Sequence, residues 1–331
     1  MNPSHCIVEV LRGGEVESVH RVHVAVVHAE QGLIASAGNP AHLSFVRSAI
    51  KMFQALPLVE AGGVQRFQLT GEELALCTAS HGGEPFHVAA ARAILAKARV
   101  TEAALACGAH LPMHEPAAAS MVAAGQSPGR IHNNCSGKHA GMLAHCVQQQ
   151  WVTNGYHRAS HPMQQRVIST LTRWMRINAD EISQGVDGCG LPTFALALDA
   201  VAEGCAKFSA AVADADPAPA AIFNAMVTHP EFVAGTDRLD TDLMRTTGTR
   251  LFAKVGAEGF YCAGIPSLRL GVALKVEDGA KRAAEPAILA VLRRIDALGA
   301  AELDRLVQYS APDLHNTRNE VVGSIRVDLS L

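Results

Sequence analysis

The sequence predicts an α/β fold in which strands from both chain ends build one antiparallel sheet with flanking helices. Valine-rich, partly alternating segments near both ends are typical of strands. The segment between them carries apolar residues at the 3.6-residue spacing of helices, which indicates an inserted, mostly helical subdomain. We expect the sheet layer to span about 1–65 and 245–331, the helical subdomain about 66–244, and the whole chain, 1–331, to form one unit.

The predicted sheet begins with strands at 6–12, 21–29 and 33–37. Glu30-Gln31-Gly32 supplies a tight turn between the second and third strands. Gly38-Asn39-Pro40 ends this antiparallel meander. A helix is predicted over 48–61, bent or interrupted at Pro57 because proline lacks the backbone donor that a helix interior needs.

The middle of the chain reads as a series of helices. Thr70-Gly71-Glu72-Glu73 has the pattern of a helix start. Further helices are predicted at 85–98, 116–124, 139–150, 160–177, 193–203 and 218–228, with an Ala/Asp/Pro-rich surface loop at 213–221. Strands return at 259–262, 267–276 and 321–329, and a helix at 283–298 lies between the last two.

Composition excludes several classes of protein. With 49% hydrophobic and 18% charged residues, a net charge of −3 and a pI near 6.6, the chain does not favour nucleic acid or an anionic membrane as a partner. No apolar run has the length of a membrane span, and the first residues lack the pattern of a signal peptide. We therefore expect a cytoplasmic protein whose 8 cysteines are thiols or metal ligands.

A Ser-x-x-Lys sequence, Ser48 to Lys51, lies where the strand-rich start gives way to a helix. On a helix, residues three apart share a face, so the hydroxyl and the amine can meet. A serine is a poor nucleophile until a base takes its proton, and lysine is such a base only when burial or a neighbouring cation lowers its pKa. Arg47 supplies that neighbouring cation. The motif also arises by chance, so alone it does not establish catalysis.

Two polar, glycine-rich loops follow. In Cys77–His87, small residues allow backbone amides to approach a ligand, and Ser80, His81 and Glu84 supply donors and acceptors. The alternative is a glycine-rich turn that caps the helix starting near Pro85. The loop Cys107–Pro112 is better explained as a structural turn.

Two further loops each carry a cysteine with polar neighbours. Cys135 lies in His132-Asn133-Asn134-Cys135-Ser136-Gly137-Lys138-His139 at a predicted helix start, which stabilises thiolates and binds anions. Cys189 lies between two glycines beside Asp187. Cys135 is therefore a candidate nucleophile or metal ligand, and the two cysteines could share a Zn²⁺. No Cys-x-x-Cys accompanies them, so spacing leaves both roles open.

Taken together, these motifs resemble one family. Ser48-x-x-Lys51, Ala79-Ser80-His81-x-Gly83-Glu84-Pro85-x-His87, the Asn133–Gly141 block and Asp187-Gly188-Cys189-Gly190 are similar to the rhizobial-type L-asparaginases, the class 3 or asparaginase II family. The resemblance runs essentially end to end. It implies a fold like those of serine β-lactamases, penicillin-binding proteins and glutaminases, and a homodimer.

The resemblance implies hydrolysis of L-asparagine to L-aspartate and ammonia by two serine–lysine pairs. The first is Ser48 with Lys51. The second is Ser80 with a lysine on a late strand, for which Lys275 fits better than Lys254 because residues 268–276 form the strongest C-terminal strand.

The resemblance also implies one Zn²⁺ per chain, held by Cys135, Lys138 and Cys189 with water as the fourth ligand. It thereby favours metal ligation over nucleophilic attack for Cys135. We expect the metal to position substrate without being obligatory for the chemistry. The residues implied to contact substrate or to orient the metal ligands are Arg47, His81, Glu84, His139, Asp187 and Cys262.

The leading function is thus L-asparagine amidohydrolysis by way of a serine acyl-enzyme. One alternative is a glutaminase or another serine amidase with the β-lactamase fold. A different class is a non-catalytic, zinc-stabilised protein that binds small molecules.

Overall fold

The computed structural model describes residues 4–331, so residues 1–3 of the predicted sheet layer lie outside the described residues. Its strands are β1 (His5–Arg12), β2 (Glu15–His28), β3 (Gly32–Ala37), β4 (Leu43–Phe45), β5 (Ser183–Val186), β6 (Pro192–Ala197), β7 (Phe252–Val255), β8 (Phe260–Ile265), β9 (Leu270–Val276), β10 (Asp313–His315) and β11 (Val321–Ser330). No helix in the described part of the chain is both long and apolar enough to cross a bilayer.

The helices are α1 (Lys51–Glu60), α2 (Gly63–Phe67), α3 (Gly71–Cys77), α4 (Pro85–Lys97), α5 (Glu115–Ala123), α6 (Ser136–Gln148), α7 (Pro162–Met175), α8 (Leu198–Ala213), α9 (Pro217–Thr228), α10 (Pro230–Val233), α11 (Leu239–Thr247), α12 (Lys281–Arg294), α13 (Ala300–Arg305) and α14 (Val307–Ser310). Short 3₁₀ turns occur between them, among them Arg47–Ile50 immediately before α1.

The chain divides into two compact units. The sheet unit contains the residues through Ala49, Leu196–Ala213 and Asp242–Leu331. The helical unit contains Ile50–Ala195 and Asp214–Thr241. Compared with the expected boundaries near 65 and 245, residues 50–65 fall in the helical unit and residues 196–213 fall in the sheet unit.

In the sheet unit, strands from both chain ends pair as predicted. The strand order is β10-β11-β1-β2-β9-β8-β7, with β3 also paired to β2. β1 and β11 run antiparallel, with His5 opposite Ser330. Cys6, Val8 and Val10 of β1 are buried in alternation, as a strand with one buried face requires. The prediction of a mixed α/β fold with an antiparallel sheet is confirmed.

Helix α8 packs closely on this sheet because glycine leaves room for it. A Cβ on Gly271 of β9 would lie 2.1 Å from the Ala202 carbonyl oxygen of α8. Gly264 of β8 pairs with Gly271, and a Cβ on Gly264 would lie 2.5 Å from Ser209 Oγ of α8. Helix α12 also packs on the sheet. These contacts bury β8 and β9 almost completely.

The prediction of a helix at 193–203 is wrong in its first part. Residues Pro192–Ala197 form strand β6, and α8 begins at Leu198. A short, continuous apolar run has no periodicity that separates a buried strand from a buried helix. The predicted late strands, which begin at 259, also omit β7, the strand that contains Lys254.

The helical unit is built around α1, which packs against α6, α7 and α9. Residues Lys51–Leu58 of α1 are all buried, which agrees with an apolar helix at the centre of a helical layer. Pro57 lies inside this helix, as predicted for the segment 48–61. The predicted helices at 85–98, 116–124, 139–150 and 160–177 correspond to α4, α5, α6 and α7.

Candidate active site

Lys51 is the centre of the polar cluster in the helical unit. It is the first residue of α1, and its side chain is fully buried. Its Nζ donates hydrogen bonds to the Ala79 carbonyl at 2.5 Å, to Ser80 Oγ at 2.8 Å and to Cys135 Sγ at 3.1 Å. A buried lysine therefore contacts both a candidate serine and a candidate metal ligand.

Ser80 is held in place by its backbone. Its N–H donates to the Val233 carbonyl at 2.9 Å, and the N–H of His81 donates to the Asn134 carbonyl at 3.0 Å. These two bonds tie the loop after α3 to two other segments of the helical unit. Ser80 is only 6% exposed, so its hydroxyl faces the interior of the unit, where it meets Lys51.

Cys135 and Lys138 are positioned by the start of α6. The Cys135 N–H donates to Asn133 Oδ1 at 2.9 Å, and α6 begins at the next residue. Gly137 lets α6 approach α3 closely, because a Cβ there would lie 2.4 Å from the Leu76 carbonyl oxygen. This approach brings the start of α6 beside the loop that carries Ser80.

Cys189 lies at the tip of a β-hairpin. Strands β5 and β6 pair antiparallel, with Val186 opposite Pro192. The connecting turn is closed by the Asp187 N–H, which donates to the Leu191 carbonyl at 2.8 Å, and Gly190 takes a positive φ of 85°. Lys138 Nζ donates to Cys189 Sγ at 3.4 Å, so the hairpin tip and α6 meet in one buried cluster.

The two thiols are a coupled pair. Cys135 donates a hydrogen bond to Cys189, which raises the pKa of Cys135 and lowers the pKa of Cys189, so the proton of the pair is favoured on Cys135. Burial acts to lower the pKa of Lys138, but the charges of Cys189, Cys135 and Asp187 outweigh it and raise that pKa. Lys138 is therefore held as an ammonium, which would have to release a proton before its amine could bind a metal.

The donor set at this cluster fits a zinc ion. Two sulfur atoms and one amine meet in a buried site, and zinc accepts sulfur and nitrogen ligands in tetrahedral geometry. Asp187 Oδ2 lies 4.0 Å from Cys189 Sγ, so Asp187 is placed to orient the loop that carries this ligand. Across residues 4–331, no three His, Cys, Asp or Glu side chains meet as a metal site, so a site here depends on Lys138.

His139 is buried beside this cluster. Its Nδ1 lies 2.5 Å from the hydroxyl of Tyr156, which also accepts a hydrogen bond from the Ala106 N–H at 3.0 Å. Its Nε2 is buried with no hydrogen-bond partner among the described residues. Burial, reinforced by the charge of Lys138, lowers the pKa of His139 to about 3, so the ring is neutral at pH 7.

His81 and Glu84 are tied into local structure. His81 Nε2 lies 3.0 Å from Ser136 Oγ, and its Nδ1 accepts from the Gly83 N–H at 3.1 Å. The two oxygens of Glu84 accept from the N–H and the hydroxyl of Thr236, at 2.9 and 2.7 Å. Both side chains therefore fix the loops around Ser80, whatever further role they have with substrate.

The remaining candidate residues lie in the sheet unit. Ser48 is half-buried in the 3₁₀ turn Arg47–Ile50, and Arg47 before it has a positive φ of 48°. A non-glycine residue in this region is strained, and such strain is common beside functional groups. Cys262 Sγ donates to the carbonyl of Ala49 at 3.1 Å, which links β8 to this turn.

The two late lysines differ in their surroundings. Lys254 is fully buried on β7 and lies directly opposite Cys262 on β8, so the two side chains share one face of the sheet. Lys275 is only partly buried, and its Nζ donates to the carbonyls of Glu258, at 2.7 Å, and Val276. Lys254 is therefore the lysine that is buried beside Cys262.

The contacts of three residues, Asn133, Tyr156 and Thr236, could not be predicted from the sequence. Asn133 binds the Gly108 carbonyl through Nδ2 at 2.7 Å as well as the Cys135 N–H, and the Asn-Asn pair before the cysteine was its only signal. Tyr156 and Thr236 lie in loops without a motif. Nothing in the local sequence distinguishes them, because their partners come from distant segments.

Comparison with known protein families identifies the family of this chain. The chain matches the L-asparaginase II family over residues 8–327 of 331. A search of curated proteins gave no significant match. The chain therefore belongs to the L-asparaginase II family and is an enzyme that hydrolyses the amide of asparagine.

Proposed function

We propose that the enzyme hydrolyses L-asparagine through a serine acyl-enzyme whose proton carrier is Lys51. The observation that carries this proposal is the 2.8 Å contact between the fully buried Lys51 amine and Ser80 Oγ. A lysine that has released its proton can act as the base for a serine nucleophile. As a neutral amine, Lys51 would keep two donors, for the Ala79 carbonyl and Cys135 Sγ, and its lone pair would accept a serine hydroxyl proton in place of the bond that it now donates to Ser80 Oγ.

Ser48 is the proposed nucleophile. Its oxygen attacks the side-chain amide carbon, Lys51 takes the hydroxyl proton, and the C–N bond breaks to release ammonia. The aspartyl ester formed on Ser48 is then cleaved by water, which returns the serine hydroxyl and yields aspartate. The position of Ser48 in a 3₁₀ turn three residues before Lys51, after the strained Arg47, supports this role.

Ser80 and a second lysine would carry protons to the leaving ammonia and from the attacking water. We now assign Lys254 to this role in place of Lys275. Lys254 is fully buried opposite Cys262, whose thiol binds the carbonyl of Ala49 next to Ser48. Lys275 uses its amine to bind two loop carbonyls, which suits a structural role.

We further propose one Zn²⁺ per chain, held by Cys135, Lys138 and Cys189. When bound, the ion would supply a fixed positive charge that positions substrate. Asp187 and His139 would orient the ligands, through the Asp187–Cys189 contact and the His139–Tyr156 hydrogen bond. Arg47, His81, Glu84 and Cys262 stay proposed as residues that contact substrate or orient the metal ligands.

Two of the remaining proposals, a fold similar to serine β-lactamases and a homodimer, rest on the family resemblance. The other two, one catalytic unit formed by residues 1–331 and a cytoplasmic location, rest on the composition and pattern of the sequence. A glutaminase activity alongside the asparaginase activity is compatible with the same residues, because glutamine carries the same amide one carbon farther from its amino-acid head.

The decisive experiment measures ammonia release from asparagine, glutamine and a β-lactam by wild type, Ser48→Ala, Ser80→Ala and Lys51→Met. We expect Ser48→Ala and Lys51→Met to lose nearly all asparagine hydrolysis, and their double variant to be no worse than the worse single one. The contact between Lys51 and Ser80 makes Ser80 the alternative nucleophile. More than about a tenth of wild-type activity in Ser48→Ala, against none in Ser80→Ala, would transfer the role to Ser80.

A further inference from the structure

The Lys51 amine touches two sets of groups that have so far been given separate roles. It contacts Ser80 of the serine–lysine chemistry and Cys135 of the cysteine–lysine cluster. We propose that Lys51 is also a positioning residue of the metal site, where its N–H holds the Cys135 sulfur. This inference rests on the zinc site described under Proposed function.

Cys135 needs such a donor. Its sulfur is buried, and a metal-ligating thiolate in a buried site requires hydrogen bonds to offset the loss of water. Its own backbone N–H is engaged by Asn133 Oδ1 and therefore does not support the sulfur. The Lys51 amine, 3.1 Å away, supplies a donor at the sulfur itself.

The two cysteines have different supports. Cys189 contacts Lys138 and Asp187, which have proposed roles at the metal site and none in the serine chemistry. Cys135 contacts Lys51, which belongs to the serine chemistry as well. The metal site is thus joined to the proton carrier through one of its two sulfur ligands.

The position of the Lys51 amine does not depend on the cysteine alone. The Ala79 carbonyl and Ser80 Oγ hold it from the loop after α3, and its stem is enclosed by the buried face of α1. The amine is therefore pre-organised for the sulfur before a metal enters. Removing it should change the electronic state of the Cys135 ligand without removing a ligand.

The test uses Co²⁺ in place of zinc, because thiolate-to-Co²⁺ charge-transfer bands report the energy of the sulfur lone pair. The metal-free full chain is loaded with Co²⁺ as wild type, Lys51→Met and Ser80→Ala. Circular dichroism checks that each is folded, and Lys51→Leu replaces Lys51→Met if the latter is not. Ser80→Ala is the matched control, since it removes another partner of the amine and leaves the contact with the sulfur.

We expect the charge-transfer band of Lys51→Met to move to longer wavelength, because an N–H···S hydrogen bond lowers the energy of the sulfur lone pair. The band of Ser80→Ala should stay at the wild-type position. An unshifted band in folded Lys51→Met would overturn this inference and leave the zinc site standing. A wild-type spectrum without any thiolate band would overturn the zinc site and, with it, this inference.

Discussion

At the scale of single residues, the active-site prediction turns on which lysine is buried. Lys275 was chosen from the sequence because it lies on the most apolar late strand, yet Lys254 is the lysine that is fully buried. Strand β7 is only four residues long, which is too short to show the alternation of apolar and polar residues that predicts a strand. Burial of Lys254 arises from pairing with β8, which no local pattern reveals.

The two lysines can be separated by substitution. We expect Lys254→Met to lower kcat for asparagine by about a hundredfold, a typical effect of losing a general acid or base. Lys275→Met should keep kcat within a few-fold, because its amine binds loop carbonyls. Steady-state kinetics of both folded variants checks this. The reverse order of the two effects would return the role to Lys275.

The cysteines give a second prediction at this scale. Both Cys135→Ala and Cys189→Ala should lose bound zinc, measured by metal analysis of the purified chains. Since a positioning metal acts equally on ground and transition states, Cys189→Ala should raise KM and leave kcat largely intact. Cys135→Ala should also lower kcat, because it removes an acceptor of the Lys51 amine.

Two results would contradict this assignment. Normal zinc content in either variant would exclude the site formed by Cys135, Lys138 and Cys189. A drop in kcat beyond about a hundredfold in Cys189→Ala, the size of a lost electrostatic stabiliser, would mean that the metal takes part in the chemistry.

At the scale of elements, the helices of the middle segment could be predicted from the sequence. The change from strand β6 to helix α8 at residues 192–198 could not. Apolar residues at helical spacing located α4 to α7 within a few residues. Phe194 continues the same apolar character, but it lies in strand β6 because it pairs with Gln184 of β5. The candidate loops were found for a different reason, since glycine, cysteine and histidine were concentrated in them.

The close packing of α6 on α3 can be tested at Gly137. An alanine there would place its Cβ 2.4 Å from the Leu76 carbonyl oxygen. This oxygen belongs to the backbone, so no side-chain rotation can relieve the clash. We expect Gly137→Ala to lower the free energy of unfolding by about 1–3 kcal/mol. Gly108→Ala is the matched control, because a Cβ there meets nothing within 4 Å.

Urea unfolding of both variants measures this difference. The expected result is a lower midpoint for Gly137→Ala and a midpoint near wild type for Gly108→Ala. Equal midpoints would mean that α6 can shift from α3 at little cost, and that the start of α6 is not fixed by this packing.

At the scale of the whole molecule, stability should fall as the solution becomes acidic. Burial is the main cause that lowers the pKa of His87 to about 4, whereas an unfolded histidine titrates near 6.5. Between these values the unfolded chain binds a proton that the folded chain does not, so the stability present above pH 6.5 is lost as the pH falls towards 4. His81 acts in the same direction, since burial lowers its pKa too.

His87→Gln isolates one part of this dependence. The free energy of unfolding of the variant should fall less steeply between pH 6.5 and 5, by about 1 kcal/mol per pH unit. Urea titrations at several pH values, on wild type and variant, measure the two slopes. Identical slopes would mean that His87 becomes protonated without unfolding.

The hairpin that carries Cys189 has a consequence for amide exchange. Strand β5 is largely exposed, with Val186 81% exposed, and the hairpin presents one cysteine to the cluster from its tip. Segments with so few buried contacts open locally far more often than the chain unfolds. Backbone amides of β5, residues 183–186, should therefore exchange with deuterium ahead of those in α1, and an ion held by Cys189 would slow that exchange selectively.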